Sequence, residues 1–122
     1  MADEKVVVNL ATGLEDPERV LVAFLVGGAA VEKGKQVTMF LTKEAVRLAF
    51  PGYAVGVACE GCPPLDKLFE QYAQGGGRLL ACPFCVSARG LGDSELVANA
   101  SIGGASPLWD WIGDGAATVF SY

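Results

Sequence analysis

Histidine is absent from this 122-residue chain, and that absence excludes much familiar chemistry. No Ser–His or Cys–His pair can activate a nucleophile, no imidazole can act as general acid or base, and no mixed Cys/His metal site can be built. Basic residues are also scarce: nine Lys and Arg against fourteen Asp and Glu leave a formal charge of −5 and a sequence pI near 4.6. A nucleic-acid partner needs a basic face to meet its phosphates, so none is expected. Long hydrophobic runs are missing as well. The longest, residues 20–31, falls short of the roughly 20 residues that cross a bilayer, so no membrane partner is expected either. Residues 1–5 lack the basic start of a signal peptide. The expected location is therefore cytoplasmic, where cysteines serve catalysis or metal binding more often than structural disulfides.

Apolar residues, by contrast, are abundant, at 52% of the chain with a mean hydropathy of +0.38. A single domain spanning residues 1–122 can bury a core without staples. It cannot hide all of that apolar surface internally, which points to a homo-oligomer.

The patterning alternates between strand and helix. Residues 5–11 (KVVVNLA) form a continuous β-branched run, the signature of a strand buried on both faces. Asp16-Pro17-Glu18 is a helix start, with Asp as N-cap and Pro at the first helical position, and the helix runs to about Lys33 before Gly34. Residues 36–41 (QVTMFL) read as a second buried strand, parallel to the first. Thr42-Lys43-Glu44 caps a short helix through Phe50, stopped by Pro51-Gly52. Residues 53–59 are open between strand and loop, and residues 59–63 form a turn. Leu65, Leu68, Phe69 and Tyr72 lie at helical spacing, as a packing face. Gly75-Gly76-Gly77 ends that helix and, with no Lys-Ser/Thr after it, makes a poor phosphate loop. Residues 78–81 form a third strand. Residues 100–105 are too glycine-rich to assign, residues 106–112 make a capped helical turn whose Trp109 and Trp111 suit a subunit interface, and residues 117–121 form the last strand. The fold class is α/β: a three-layer sandwich around a mainly parallel five-stranded sheet, in a flavodoxin-like arrangement.

The chemistry concentrates where the third strand ends. Cys82 precedes Pro83, which suits the first position of a helix and leaves Cys82 at the N-cap. Unpaired backbone N–H groups and the positive end of the helix dipole converge there and favour the thiolate, the nucleophilic form. In parallel sheets reactive groups gather beyond the carboxyl ends of the strands, the edge to which Thr12, Gly13 and Cys82 all belong.

The chain resembles the DsrE/DsrF-like family, which includes the sulfur-relay TusD subunits. The residues that carry the likeness are Thr12-Gly13 followed by Asp16 and an alanine-rich helix, the Gly34 turn into residues 37–41, and Cys82 followed eight residues later by the glycine of Arg89-Gly90-Leu91. The resemblance implies a parallel-sheet α/β domain assembled as a trimer or hexamer. It also implies that Cys82 carries sulfur as a persulfide, exchanged with a sulfur donor or acceptor protein. Cys59, Cys62 and Cys85 depart from the family pattern.

Three readings of the four cysteines stand open. Cys82 is the site of a sulfurtransferase or persulfide carrier that needs no cofactor, with Cys85, or the auxiliary thiols Cys59 and Cys62, resolving the persulfide. Alternatively, Cys82-Pro83-Phe84-Cys85 is a C-x-x-C thiol–disulfide switch. In the third reading, Cys59, Cys62, Cys82 and Cys85 bind zinc or an iron–sulfur cluster in a structural module, with nineteen residues between the pairs. Arg89, further along the same helix, tunes the local field, binds an anionic partner or makes an exposed or interface ion pair.

Overall fold

A computed structural model describes residues 4–57, 60–92 and 94–122. Five strands form one sheet in the order β4-β3-β2-β1-β5: β1 (Lys5–Leu10), β2 (Gln36–Leu41), β3 (Arg78–Ala81), β4 (Ala100–Ile102) and β5 (Ala117–Ser121). Every neighbouring pair is parallel, with Lys5 beside Gln36, Thr38 beside Arg78, Leu79 beside Ala100, and Lys5 again beside Ala117. Four helices connect them: α1 (Pro17–Glu32), α2 (Leu65–Gln74), α3 (Pro83–Ala88) and α4 (Ala105–Ile112). The short helix expected after Thr42 is a 3₁₀ segment, Lys43–Ala49, and Thr42 makes no side-chain cap bond.

The two faces of the sheet are covered unequally. Side chains alternate along a strand, and one face sends Val6, Val8, Leu10, Val37, Met39, Leu41, Leu79 and Ala81 into the main core. The same core takes Val20, Leu21 and Phe24 of α1, Leu65 and Tyr72 of α2, and Val86 of α3. Tyr72 anchors α2: its buried ring meets Phe24 edge-on at 5.6 Å and its hydroxyl donates to the Arg78 carbonyl at 2.7 Å. Burial raises the Tyr72 pKa well above the usual phenol range. The opposite face carries Lys5, which donates to the Trp111 and Ile112 carbonyls at the end of α4. None of the α4 side chains is buried. The third layer of the sandwich is thus a single, thinly seated helix.

Three helices close in the same way. Gly34, Gly76 and Gly90 all have positive φ (82°, 95° and 66°). At each, the glycine N–H and the next N–H bond back to carbonyls near the helix end: Gly34 to Val31 and Lys35 to Ala30, Gly76 to Ala73 and Gly77 to Tyr72, Gly90 to Ser87 and Leu91 to Val86. This is the Schellman arrangement, which favours glycine because a β-carbon is strained there. The glycine triplet is therefore helix-ending machinery. A β-carbon on Gly77 would also lie 2.5 Å from the Tyr72 ring.

Candidate functional site at the end of the third strand

The sheet continues past β3 on both sides of Cys82. The Cys82 N–H donates to the Leu41 carbonyl at 2.9 Å, and the Ala81 carbonyl accepts from Gly103 at 3.0 Å. Cys82 is consequently fixed between the segments leaving β2 and β4. On the β4 side, a β-carbon on Gly103 would lie 2.8 Å from Leu80 Cδ1, which gives that glycine of the unassigned residues 100–105 a purpose. On the β2 side lies Lys43, a non-glycine residue with φ of 53°.

Cys82 has extended backbone angles and Pro83 is the first helical residue, so the sulfur occupies the N-cap as the sequence implies. Both Cys82 and Cys85 are free and half-buried. The Cys82 thiol makes no cap hydrogen bond of ordinary geometry. Its pKa nevertheless lies below the usual thiol range. Burial pushes it up, but the Cys85 backbone N–H, the Cys85 thiol and the Phe84 backbone N–H together more than offset this. These are the second and third N–H groups of α3, the ones an N-cap side chain normally satisfies. Phe84, between the two cysteines, is 83% exposed.

A charged bracket holds the far end of α3. The Arg89 guanidinium donates to Glu44 at 2.8 Å and to the Cys85 carbonyl at 3.2 Å, and Arg47 donates to the other Glu44 oxygen at 2.7 Å. These two cations hold the Glu44 carboxyl below its ordinary range. Gly13 N–H is bound by Glu15 at 2.7 Å, and a β-carbon on Gly13 would collide with the Glu44 carbonyl at 2.7 Å. The loop after β1, the 3₁₀ segment and α3 therefore lock together. Arg89 makes an ion pair, but a partly buried one within the chain and not the exposed or interface pair the sequence led to. Its partner Glu44 was invisible there, because 45 residues separate the two.

Cys62 is disulfide-bonded in this structure. Cys59 lies outside the described residues, and with it the zinc or iron–sulfur reading in its four-cysteine form. Among the described residues no group of three or more Cys, Asp or Glu gathers to hold a metal ion. No described helix is long and apolar enough to cross a membrane.

A strand-end cysteine on an all-parallel α/β sheet, with an Arg-Gly-Leu closing the helix behind it, defines a class. The DsrE/DsrF-like family model matches residues 4–120, and the chain belongs to that family. Among solved structures, the ychN protein from E. coli superposes with a TM-score of 0.79 over 99% of this chain and 100% of that one, at 19% identity. At that identity the likeness is one of fold. No curated protein matches the sequence significantly.

Proposed function

We propose that this chain is a cytoplasmic sulfur-handling protein in which Cys82 accepts a sulfane sulfur and passes it on. The observation that carries the reading is the Cys82 sulfur itself: free, half-buried at the N-cap of α3, with its thiolate favoured by the N–H groups of Cys85 and Phe84. Membership of a family that includes sulfur-relay proteins supports it. The thiolate attacks the outer sulfur of a persulfide or polysulfide donor, the donor's S–S bond breaks, and the donor leaves as a thiolate. The same N–H groups then stabilise the terminal persulfide anion, so no histidine is required. An acceptor thiolate removes the outer sulfur by the same exchange. Phe84 offers a partner protein an apolar anchor beside the reacting sulfur.

The reading includes a homo-oligomer, trimer or hexamer. Trp109 and Val119, 69% and 58% exposed on α4 and β5, are the apolar side chains that a second copy would cover. The test of the chemistry is cyanolysis begun within seconds of exposure to inorganic polysulfide, before the persulfide can decay. The wild type yields thiocyanate in proportion to protein and Cys82→Ser yields none; equal thiocyanate from both would overturn the assignment.

A further inference from the structure

The thiol of Cys85 is not needed for a simple carrier. A carrier needs one thiolate, N–H groups around it and a route for the acceptor, and Cys82 has these alone. Cys85 nevertheless occupies the third helical position of α3, where its side chain shares with the N-cap residue the space above the first turn, as the two side chains of a capping box do. Residues three apart on a helix stand about 5–6 Å apart between β-carbons. A disulfide draws them to about 4 Å, a small adjustment for a six-residue helix whose start is set by one proline. Both sulfurs are free and both are half-buried. Phe84 leaves its ring in solvent between them.

On the basis of the carrier reading above, we propose that Cys85 is a resolving thiol that discharges an undelivered persulfide on Cys82 as sulfide. The Cys85 thiolate attacks the Cys82 Sγ, the bond from that Sγ to the outer sulfur breaks, and the outer sulfur leaves with the electron pair as HS⁻, taking up the proton given by Cys85. The sulfane sulfur is reduced to sulfide, and the two cysteine sulfurs are oxidised to one disulfide, so electrons balance without an outside oxidant. A dithiol reductant returns the pair to the free thiols seen here. Because Cys85 competes from within the same helix, its effective concentration far exceeds that of a free thiol. A docked acceptor attacks the outer sulfur before Cys85 attacks the inner one, and an unpartnered persulfide decays. The persulfide therefore lasts only while a partner is present.

Residues 79–89, between Arg78 and Arg89, form a tryptic peptide holding Cys82 and Cys85 and no other cysteine. Reduced full-length protein is exposed to inorganic polysulfide, freed of excess donor, and followed for sulfide release and for the mass of that peptide after alkylation. In the wild type we expect about one sulfide released per loaded chain and a peptide about 2 Da lighter than its dithiol form. In Cys85→Ser we expect the peptide to keep about 32 Da on Cys82, with sulfide release at least tenfold slower. A wild type that holds the added sulfur as long as Cys85→Ser, with no disulfide, overturns the resolving role and leaves the carrier standing. Absence of both added mass and sulfide in either protein overturns the carrier reading and this one with it.

Discussion

Two helices of this protein begin with the same local grammar and use it for different ends. Both α1 and α3 follow a loop or strand end at the carboxyl edge of the sheet, and both place proline at the first helical position, after Asp16 in one case and Cys82 in the other. Asp16 completes its cap: its carboxylate accepts from the Arg19 N–H at 3.2 Å, and sixteen helical residues follow. Cys82 makes no such bond, and only six residues follow. The N–H groups that Asp16 consumes for stability lie, at Cys82, beside a sulfur whose thiolate they favour. Under the proposed function, exchanging one cap atom turns a helix start into a site for nucleophilic chemistry.

That comparison is broken most directly at Cys82. Serine is among the best N-cap residues, so Cys82→Ser keeps or raises thermal stability, within about 1 kcal/mol, while sulfane loading falls to background. A loss of folding in that variant would mean the sulfur is structural. The next effect is on pH. Since the folded-state pKa of Cys82 is depressed, alkylation of Cys82 by iodoacetamide should reach half its maximal rate below the ordinary thiol value of about 8.5. The sign for stability follows from the same depression. The Cys82 contribution is fully present above the unfolded-state pKa and is lost as pH falls through the folded one, so the stability of the wild type relative to Cys82→Ser should rise from neutral to alkaline pH.

The converse change is Asp16→Ala. It should cost about 1 kcal/mol, roughly 4 °C in melting temperature for a chain of this size, and leave sulfane loading unchanged. The helix ends sharpen the contrast further. Gly34→Ala and Gly90→Ala each introduce a β-carbon at positive φ, for about 1 kcal/mol apiece. Only Gly90→Ala should also slow loading at Cys82, because its strain falls on a six-residue helix where the Gly34 strain is spread over sixteen. The smallest effect expected is for Trp109→Lys, which should leave both stability and loading nearly unchanged while moving the sedimentation of the protein toward the monomer.

Much of this comparison was legible in the sequence. Buried parallel strands announce themselves as β-branched runs such as Val6-Val7-Val8, and an X-Pro step before a helical pattern marks an N-cap whatever X is, so Asp16 and Cys82 were both found. The features that escaped depend on distance along the chain. β4 is three residues at a sheet edge, too short and too glycine-rich for periodicity, and its pairing with β3 exists only once Gly103 meets Ala81. The Glu44–Arg89 bond joins two residues that local reading assigns to separate helices. Cys62 is ambiguous in the sequence for another reason: its C-x-x-C spacing suits a metal site, a resolving pair and incidental loop thiols alike. The Arg89-Gly90-Leu91 signature gained a physical meaning from the structure, with Arg89 bound to Glu44, Gly90 at positive φ and Leu91 closing the turn on Val86.

The central claim is that the cap sulfur of α3 is the sulfur-accepting atom. Its most direct test is rapid quenching of the protein with excess alkylating agent seconds after polysulfide is added, followed by mass mapping of all four cysteines. The account predicts that an added sulfur of about 32 Da appears first and almost entirely on Cys82. Earlier or greater labelling of Cys85, or of any cysteine outside α3, would contradict it.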